Sequence, residues 1–226
     1  RHLKRYLRLF GIRSIDGLLA DLGVSSHQFD EGERGFSYRF DALLDMRMDQ
    51  GSSLTAKQIV NTYTEEQLHR IFGIYGEIKN AKTLAQTLVT QRLNKPIDTV
   101  DELKKAISKL IPKGKENKYL AQVFQALRIE VNQELNVLKE LFEQLPGILK
   151  PHARVAIISF HSLEDRLVKN FFRKGSFEEE AYNPFDREEK EKIFQIISKK
   201  PIEATPEEQK KNPRSRSARL RVAEKI

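Results

Sequence analysis

The stretch Ile15-Asp16-Gly17-Leu18-Leu19-Ala20-Asp21-Leu22-Gly23-Val24-Ser25-Ser26-His27-Gln28 decides how the chain is read. Its first half holds a short apolar run, Gly17 to Ala20, closed by the acid Asp21. Its second half, Leu22 to Ser26, is small and flexible. Apolar residues followed by a Gly/Ser turn form the pattern of a buried parallel strand. In open α/β sheets ligands bind outside the carboxyl ends of the strands. Asp21 therefore stands where a carboxylate can meet a ligand, and equally where it can cap a turn. The flanking residues have to decide between the two.

Upstream, Leu3, Tyr6, Leu7 and Phe10 lie on one helix face and Gly11 stops the helix. Helix, tight turn and strand make half of a βαβ unit, whose preceding strand is absent from the sequence. Downstream, residues 29 to 53 have no sustained period, yet Phe29, Phe36, Tyr38, Phe40, Met46 and Met48 supply anchors, which predicts an ordered, functional loop. From Leu54 to Leu120 the pattern is helical. Thr55 with Gln58, Thr64 with Gln67 and Thr99 with Glu102 each read as a capping box ahead of an apolar stripe. Pro96, Pro112 and the Gly73–Gly76 break punctuate the helices, and no strand-like run interrupts them.

A long amphipathic helix is expected over Leu120 to Leu145, carried by Phe124, Leu127, Val131, Leu135, Leu138, Phe142 and Leu145 and ended by Pro146-Gly147. Ala153 to Phe160 is the second buried strand. It too ends in polar residues: Ser159, His161, Ser162, Glu164 and Asp165. A helix over Leu163 to Phe172 and an acidic, loop-like segment from Gly175 to Glu191 follow. Ile193 to Ile197 and Ala218 to Val222 read as an antiparallel pair at a sheet edge, because Pro201, Pro206 and Pro213 between them forbid a central strand. The expected organisation is a core over residues 1–53 and 121–226, interrupted by a helical insertion over 54–120.

Composition narrows the chemistry. The 226 residues are 39% hydrophobic and 32% charged, enough for a sizeable core with a wet surface. With no cysteine, a disulfide framework, a zinc–thiolate site and a cysteine nucleophile are excluded, which fits the cytoplasm. The start, Arg1, Lys4, Arg5 and Arg8 among apolar residues, has no signal-peptide pattern. A formal charge of +8 favours a polyanionic partner without locating it. Neither G-x-G-x-x-G nor a P-loop occurs. The five histidines, at 2, 27, 69, 152 and 161, are scattered, so no metal centre is expected. Ser159, His161 and Asp165 lack the G-x-S-x-G elbow that would make them a hydrolase triad.

What remains is two parallel-type strands with polar carboxyl ends, the layout of a nucleotide- or cofactor-binding edge. On those ends, DLGVSSHQ (Asp21–Gln28) and SFHSLEDR (Ser159–Arg166), and in ERGFS (Glu33–Ser37), LDMRMD (Leu44–Asp49) and NPRSRSARLR (Asn212–Arg221), the chain closely resembles the RsmH (MraW) family of S-adenosylmethionine-dependent methyltransferases, which methylate N4 of a cytidine in small-subunit ribosomal RNA. The resemblance runs the length of the chain. It implies an α/β fold, a partial class I (Rossmann-like) methyltransferase core with an inserted all-helical domain. S-adenosyl-L-methionine is the implied cofactor, and small-subunit ribosomal RNA or the assembled subunit the implied partner. By motif, Asp21 and Gln28 contact the cofactor.

Family members also carry a glycine-rich first turn and an acidic second strand, both absent from this sequence, so three strands of the usual sheet are expected to be missing. Asp21, the oxygens of Leu22 to Ser26 and the Ser159–His161 edge are the nearest groups to hold a cytidine amine. His161 is a proton acceptor or a satisfied structural histidine. For the RNA the candidates are Arg34, Phe36, Arg39 and Arg47 in the loop and Arg214, Arg216, Arg219 and Arg221 in the tail, against Phe36 as core and the tail arginines as a solvated strand face. The sequence is compatible with a homodimer and does not require one. The rival from another class is a catalytically incomplete fragment acting only as an RNA-binding module.

Overall fold

A computed structural model describes residues 1–25, 32–177 and 192–226. The chain divides into two compact units, residues 1–23 with 135–226, and residues 24–134. The first contains a mixed sheet, in which β1 (Ile15–Asp21) lies parallel to β2 (Leu149–Ser159). β2 pairs antiparallel with β5 (Arg219–Lys225), which in turn pairs antiparallel with β3 (Phe194–Ile196) and the two-residue β4 (Ile202–Glu203). α1 (Leu3–Leu9) precedes β1, and α8 (Ser162–Lys174) follows β2.

The core of this unit is built from alternate residues of β2, Ala153, Val155 and Ile157, together with Phe171 and Phe172 of α8, Phe142 and Phe194. Phe142 stacks on Phe171 with ring centroids 4.7 Å apart, a geometry that adds to the gain from area alone. Two strands depart from the sequence expectation. β1 is parallel as expected but is not buried: it is the edge of the described sheet, and Leu19 is 70% exposed. The tail strands do pair antiparallel, yet β5 sits inside the sheet between β2 and β3. The prolines between them fall in the connection and do not constrain β5 itself.

The second unit is helical: α2 (Ala56–Thr62), α3 (Glu65–Ile74), α4 (Ala81–Asn94), α5 (Val100–Ile107) and α6 (Glu116–Asn132). All three expected capping boxes are formed, with Thr55, Thr64 and Thr99 accepting from the backbone N–H three residues on and Gln58, Gln67 and Glu102 reaching back. Each satisfies two otherwise orphaned N–H groups at a helix start.

The unit boundaries fall at 23/24 and 134/135, whereas the composition shifts lie at 53/54 and 120/121. The reason is packing. Phe36, Leu44 and Met46 of the loop, and Leu120 to Val131 of α6, bury themselves in the helical core. Loop backbone at Ala42 and Leu44 is hydrogen-bonded to Val100 and Asp98. Asn132 clamps the loop, accepting from Met48 N–H at 2.7 Å and donating to Met46 O at 2.8 Å. Gly35 is required in this loop: its φ is +68° and a Cβ there would meet Leu43 O at 2.3 Å. The single helix expected over 120–145 is two. Gln133 adopts a left-handed conformation (φ 51°) that ends α6, and α7 (Glu134–Gln144) begins again at the unit boundary. An apolar stripe continuous across both helices hides this break.

Candidate active site

The register of β1 on β2 places Asp21 opposite Ile158, and the N–H of Leu22 continues the ladder to Ile158 O at 2.9 Å. The carboxyl ends of the two strands therefore open at one edge of the sheet. Because β5 runs the other way, its first residue arrives there too: Arg219 pairs with Ser159, whose hydroxyl donates to Arg219 O at 3.3 Å. The first residues of DLGVSSHQ, Asp21 to Gly23, the strand end of SFHSLEDR and the last residues of NPRSRSARLR meet at this edge.

Asp21 is exposed at its end of β1. It is thus an open carboxylate rather than the buried acid that a buried strand would have given. Gln28 lies outside the described residues. Beyond Asp21 the chain turns at Gly23, whose φ of +85° is left-handed and favours glycine. At the end of β2 the polar residues are tied into the start of α8. His161 is its N-cap, with Nδ1 accepting from Glu164 N–H at 3.4 Å, and Glu164 Oε2 accepts from Phe160 N–H at 2.9 Å. The His161 side chain is only 7% exposed and its Nε2 lies 3.3 Å from Glu164 Oε1. That contact lacks hydrogen-bond alignment, and Nε2 has no hydrogen-bond partner among the described residues. His161 thus has its Nδ1 turned to the helix N-terminus and its Nε2 buried against Glu164, the position of a structural cap.

Asp165, the next residue of α8, is committed differently. Arg221 of β5 donates to both its carboxylate oxygens, at 2.6 and 3.0 Å, with each residue 8% exposed. Arg219 stands 3.7 Å from the same carboxylate and 3.8 Å from Glu203. The expectation that Arg221 faces RNA is thereby corrected: alternation on β5 turns its guanidinium inward onto an acid that the sequence does not reveal as its partner.

The loop candidates are corrected in the same way. Phe36 is core at 3% exposure. Arg34 stacks on Phe36 at 5.3 Å and donates to the carbonyls of Arg47 and Met48. Arg47 pairs with Asp45 at 2.7 Å and donates to Gln50 O and Ser52 O, and its guanidinium holds the Asp45 carboxyl below the usual carboxylate range, against burial. These side chains stitch the loop together. Arg39, Arg214 and Arg216 are exposed and Arg219 is half-buried.

A family model described as the MraW methylase family matches residues 1–226. The chain belongs to the MraW methylase family. Among curated proteins it is 55% identical over 225 residues to the "Ribosomal RNA small subunit methyltransferase H" of Cytophaga hutchinsonii, which covers all of this chain and 75% of that protein. The protein of the same name from Flavobacterium johnsoniae is 55% identical over 229 residues, covering 74% of its length, and that from Parabacteroides distasonis 49% over 227 residues, again 74%. The chain thus spans about three quarters of these relatives. In this MraW-family sheet no helix of the described residues is long and apolar enough to cross a membrane.

Sequence reasoning lists Glu164 among the polar residues at the end of β2 but does not show that it holds the backbone of Phe160. The periodicity of a strand ending at Phe160 marks the ring as the last core residue. Only the cap geometry shows that its backbone is pinned by Glu164 while its ring is half-buried.

Proposed function

We infer that this chain carries the methyl-transfer core of an S-adenosylmethionine-dependent enzyme acting on N4 of a cytidine in small-subunit ribosomal RNA, in the cytoplasm. The observation that carries the reading is the parallel register of β1 on β2, which brings Asp21 and the Ser159 end of SFHSLED to one edge in a chain of the MraW methylase family. Asp21 fits the cofactor's chemistry: an exposed carboxylate at a strand end accepts hydrogen bonds from amino groups and attracts a sulfonium charge. When bound, S-adenosylmethionine supplies an electrophilic methyl group.

The residues have the remaining work. A cytidine amine is a weak nucleophile because its lone pair is delocalised into the ring. Acceptors that hold its N–H groups and align it for in-line attack lower the barrier through orientation and charge stabilisation. Asp21 and the backbone oxygens after it are the acceptors at this edge. His161 caps α8 through Nδ1 and so fixes the end of β2 beside these acceptors. The exposed arginines, Arg39, Arg214 and Arg216, are the phosphate contacts of this reading, together with half-buried Arg219. Calorimetric titration with S-adenosylmethionine, followed by mass spectrometry of small-subunit RNA treated with the full-length protein, tests it. Cofactor binding and a methyl group on a cytidine are expected. RNA binding without either would leave the RNA-binding-module reading in its place.

A further inference from the structure

An enzyme that modifies the exocyclic amine of a base inside folded RNA must hold that base out of its stack, and a flat aromatic face is the usual support. We propose that Phe160 is the stacking platform for the target cytosine, an inference that rests on the reaction assigned above.

Three observations carry it. The first is placement. Phe160 follows the last residue of β2, the strand between Asp21 on β1 and Arg219 on β5, so it sits between the open carboxylate and the cationic side of the edge. A polynucleotide held through its phosphates by Arg216 and Arg219 delivers a base over β2 before it reaches Asp21. That order favours the cytosine as occupant over the adenine of the cofactor. The second is rigidity. The Phe160 backbone N–H is held at 2.9 Å by Glu164, itself buried in the first turn of α8, and His161 caps that helix. A platform works only if it does not have to be ordered at the moment of binding. The third is availability. The ring is half-buried and, unlike Phe142, Phe171, Phe172 and Phe194, joins no aromatic pair among the described residues. Its neighbour from the turn after β1 is Gly23, where a Cβ would lie 3.8 Å from Phe160 Cδ2 and where φ disfavours any side chain.

These 226 residues contain no tryptophan, and the emission that Phe160→Trp adds over wild type reports on the platform itself. In the full-length enzyme, its emission is compared with wild type while a small-subunit RNA fragment is added, either intact or with an abasic site at the target position. Quenching by the intact RNA but not by the abasic RNA is expected. Quenching by S-adenosylmethionine alone would give the ring to the adenine, and no base-dependent quenching would leave it without a ligand; either overturns the proposal.

As a second measurement, Phe160→Ala is expected to raise KM for RNA by about tenfold to a hundredfold, the range of one lost base–aromatic stack. Cofactor affinity by calorimetry stays unchanged and Phe160→Tyr restores KM. If the alanine variant does not fold, Phe160→Leu replaces it, keeping volume and losing the π face. An unchanged KM in a folded variant would count against the platform. Absence of cytidine methylation by the wild-type enzyme would strike the reading of the reaction instead, and is scored separately.

Discussion

Asp21 and Asp165 are the same residue on neighbouring elements of one sheet edge, and they have opposite fates. Asp165 is buried and bound by both arms of the Arg221 guanidinium, with Arg219 close by. Asp21 ends an edge strand and faces solvent. An acid whose charge is already neutralised by a fixed arginine holds structure, here tying α8 to β5. An acid left open is available to a ligand. The same division separates Arg221 from Arg216, and Arg47 from Arg39, so the site divides by commitment and not by residue type.

The largest expected effect tests the committed acid. Asp165→Ala leaves the Arg221 guanidinium buried without its carboxylate, which costs about 3–5 kcal/mol, read as a shift in the urea midpoint. The double variant Asp165→Leu/Arg221→Met removes both charges and is expected to recover most of that loss, since a well-packed apolar pair replaces a buried ion pair at little cost. If Asp165→Ala and the double variant were equally destabilised, the pair would not be the clamp described. Asp21→Asn is the counterpart. It is expected to lower methyl transfer by more than tenfold while stability moves by no more than about 0.5 kcal/mol, as for an exposed side chain. A large stability loss in Asp21→Asn would erase the contrast between the two acids.

How much of this was legible in the sequence follows the range of the interactions. The three capping boxes were readable because all their partners lie within four residues, and the two parallel strands because an apolar run ending in small polar residues is a local pattern. Leu19 is exposed because β1 is the outer strand of the described sheet, and an apolar run by itself does not record which neighbours a strand has. The fate of the arginines was unreadable for a similar reason. Arg221 meets an acid 56 residues away in sequence, and Arg34 and Arg47 bind backbone carbonyls that no side-chain pattern records. The break at Gln133 was hidden because its left-handed residue is neither Gly nor Asn, so the apolar stripe passed over it.

A third acid shows that commitment does not require burial. Glu102 is held by Lys95 and by the backbone N–H groups of Asp98 and Thr99, and its carboxyl is pulled down to about 2 from an ordinary 4.5, the Lys95 hydrogen bond being the largest cause. A depressed folded value contributes stability that is whole above pH 4.5 and is lost as the pH falls towards 2. Thermal midpoints of wild type and Glu102→Gln are therefore expected to differ at pH 7 and to converge by pH 2. Thr99→Ala, which removes the other half of the capping box, is expected to cost about 1 kcal/mol at either pH. Midpoints that stayed apart at pH 2 would assign the Glu102 effect to packing instead of charge.

The smallest effect separates the arginines. Each side-chain contact to an RNA phosphate releases counterions, so the logarithm of the binding constant falls linearly with the logarithm of salt, by about 0.7 per contact on single strands. Arg216 is exposed on the turn before β5, and Arg216→Ala is expected to lower that slope by one such contact. Arg221→Met, combined with Asp165→Leu to keep the fold, is expected to leave the slope unchanged even though it deletes the same charge from the same ten-residue motif. Equal slopes for the two variants would mean that the buried guanidinium reaches RNA after all, and that commitment to Asp165 is broken when RNA binds. Unequal slopes give the tail two roles: Arg221 on β5 inward to fix α8, and Arg216 on the turn before it outward to meet the phosphate chain.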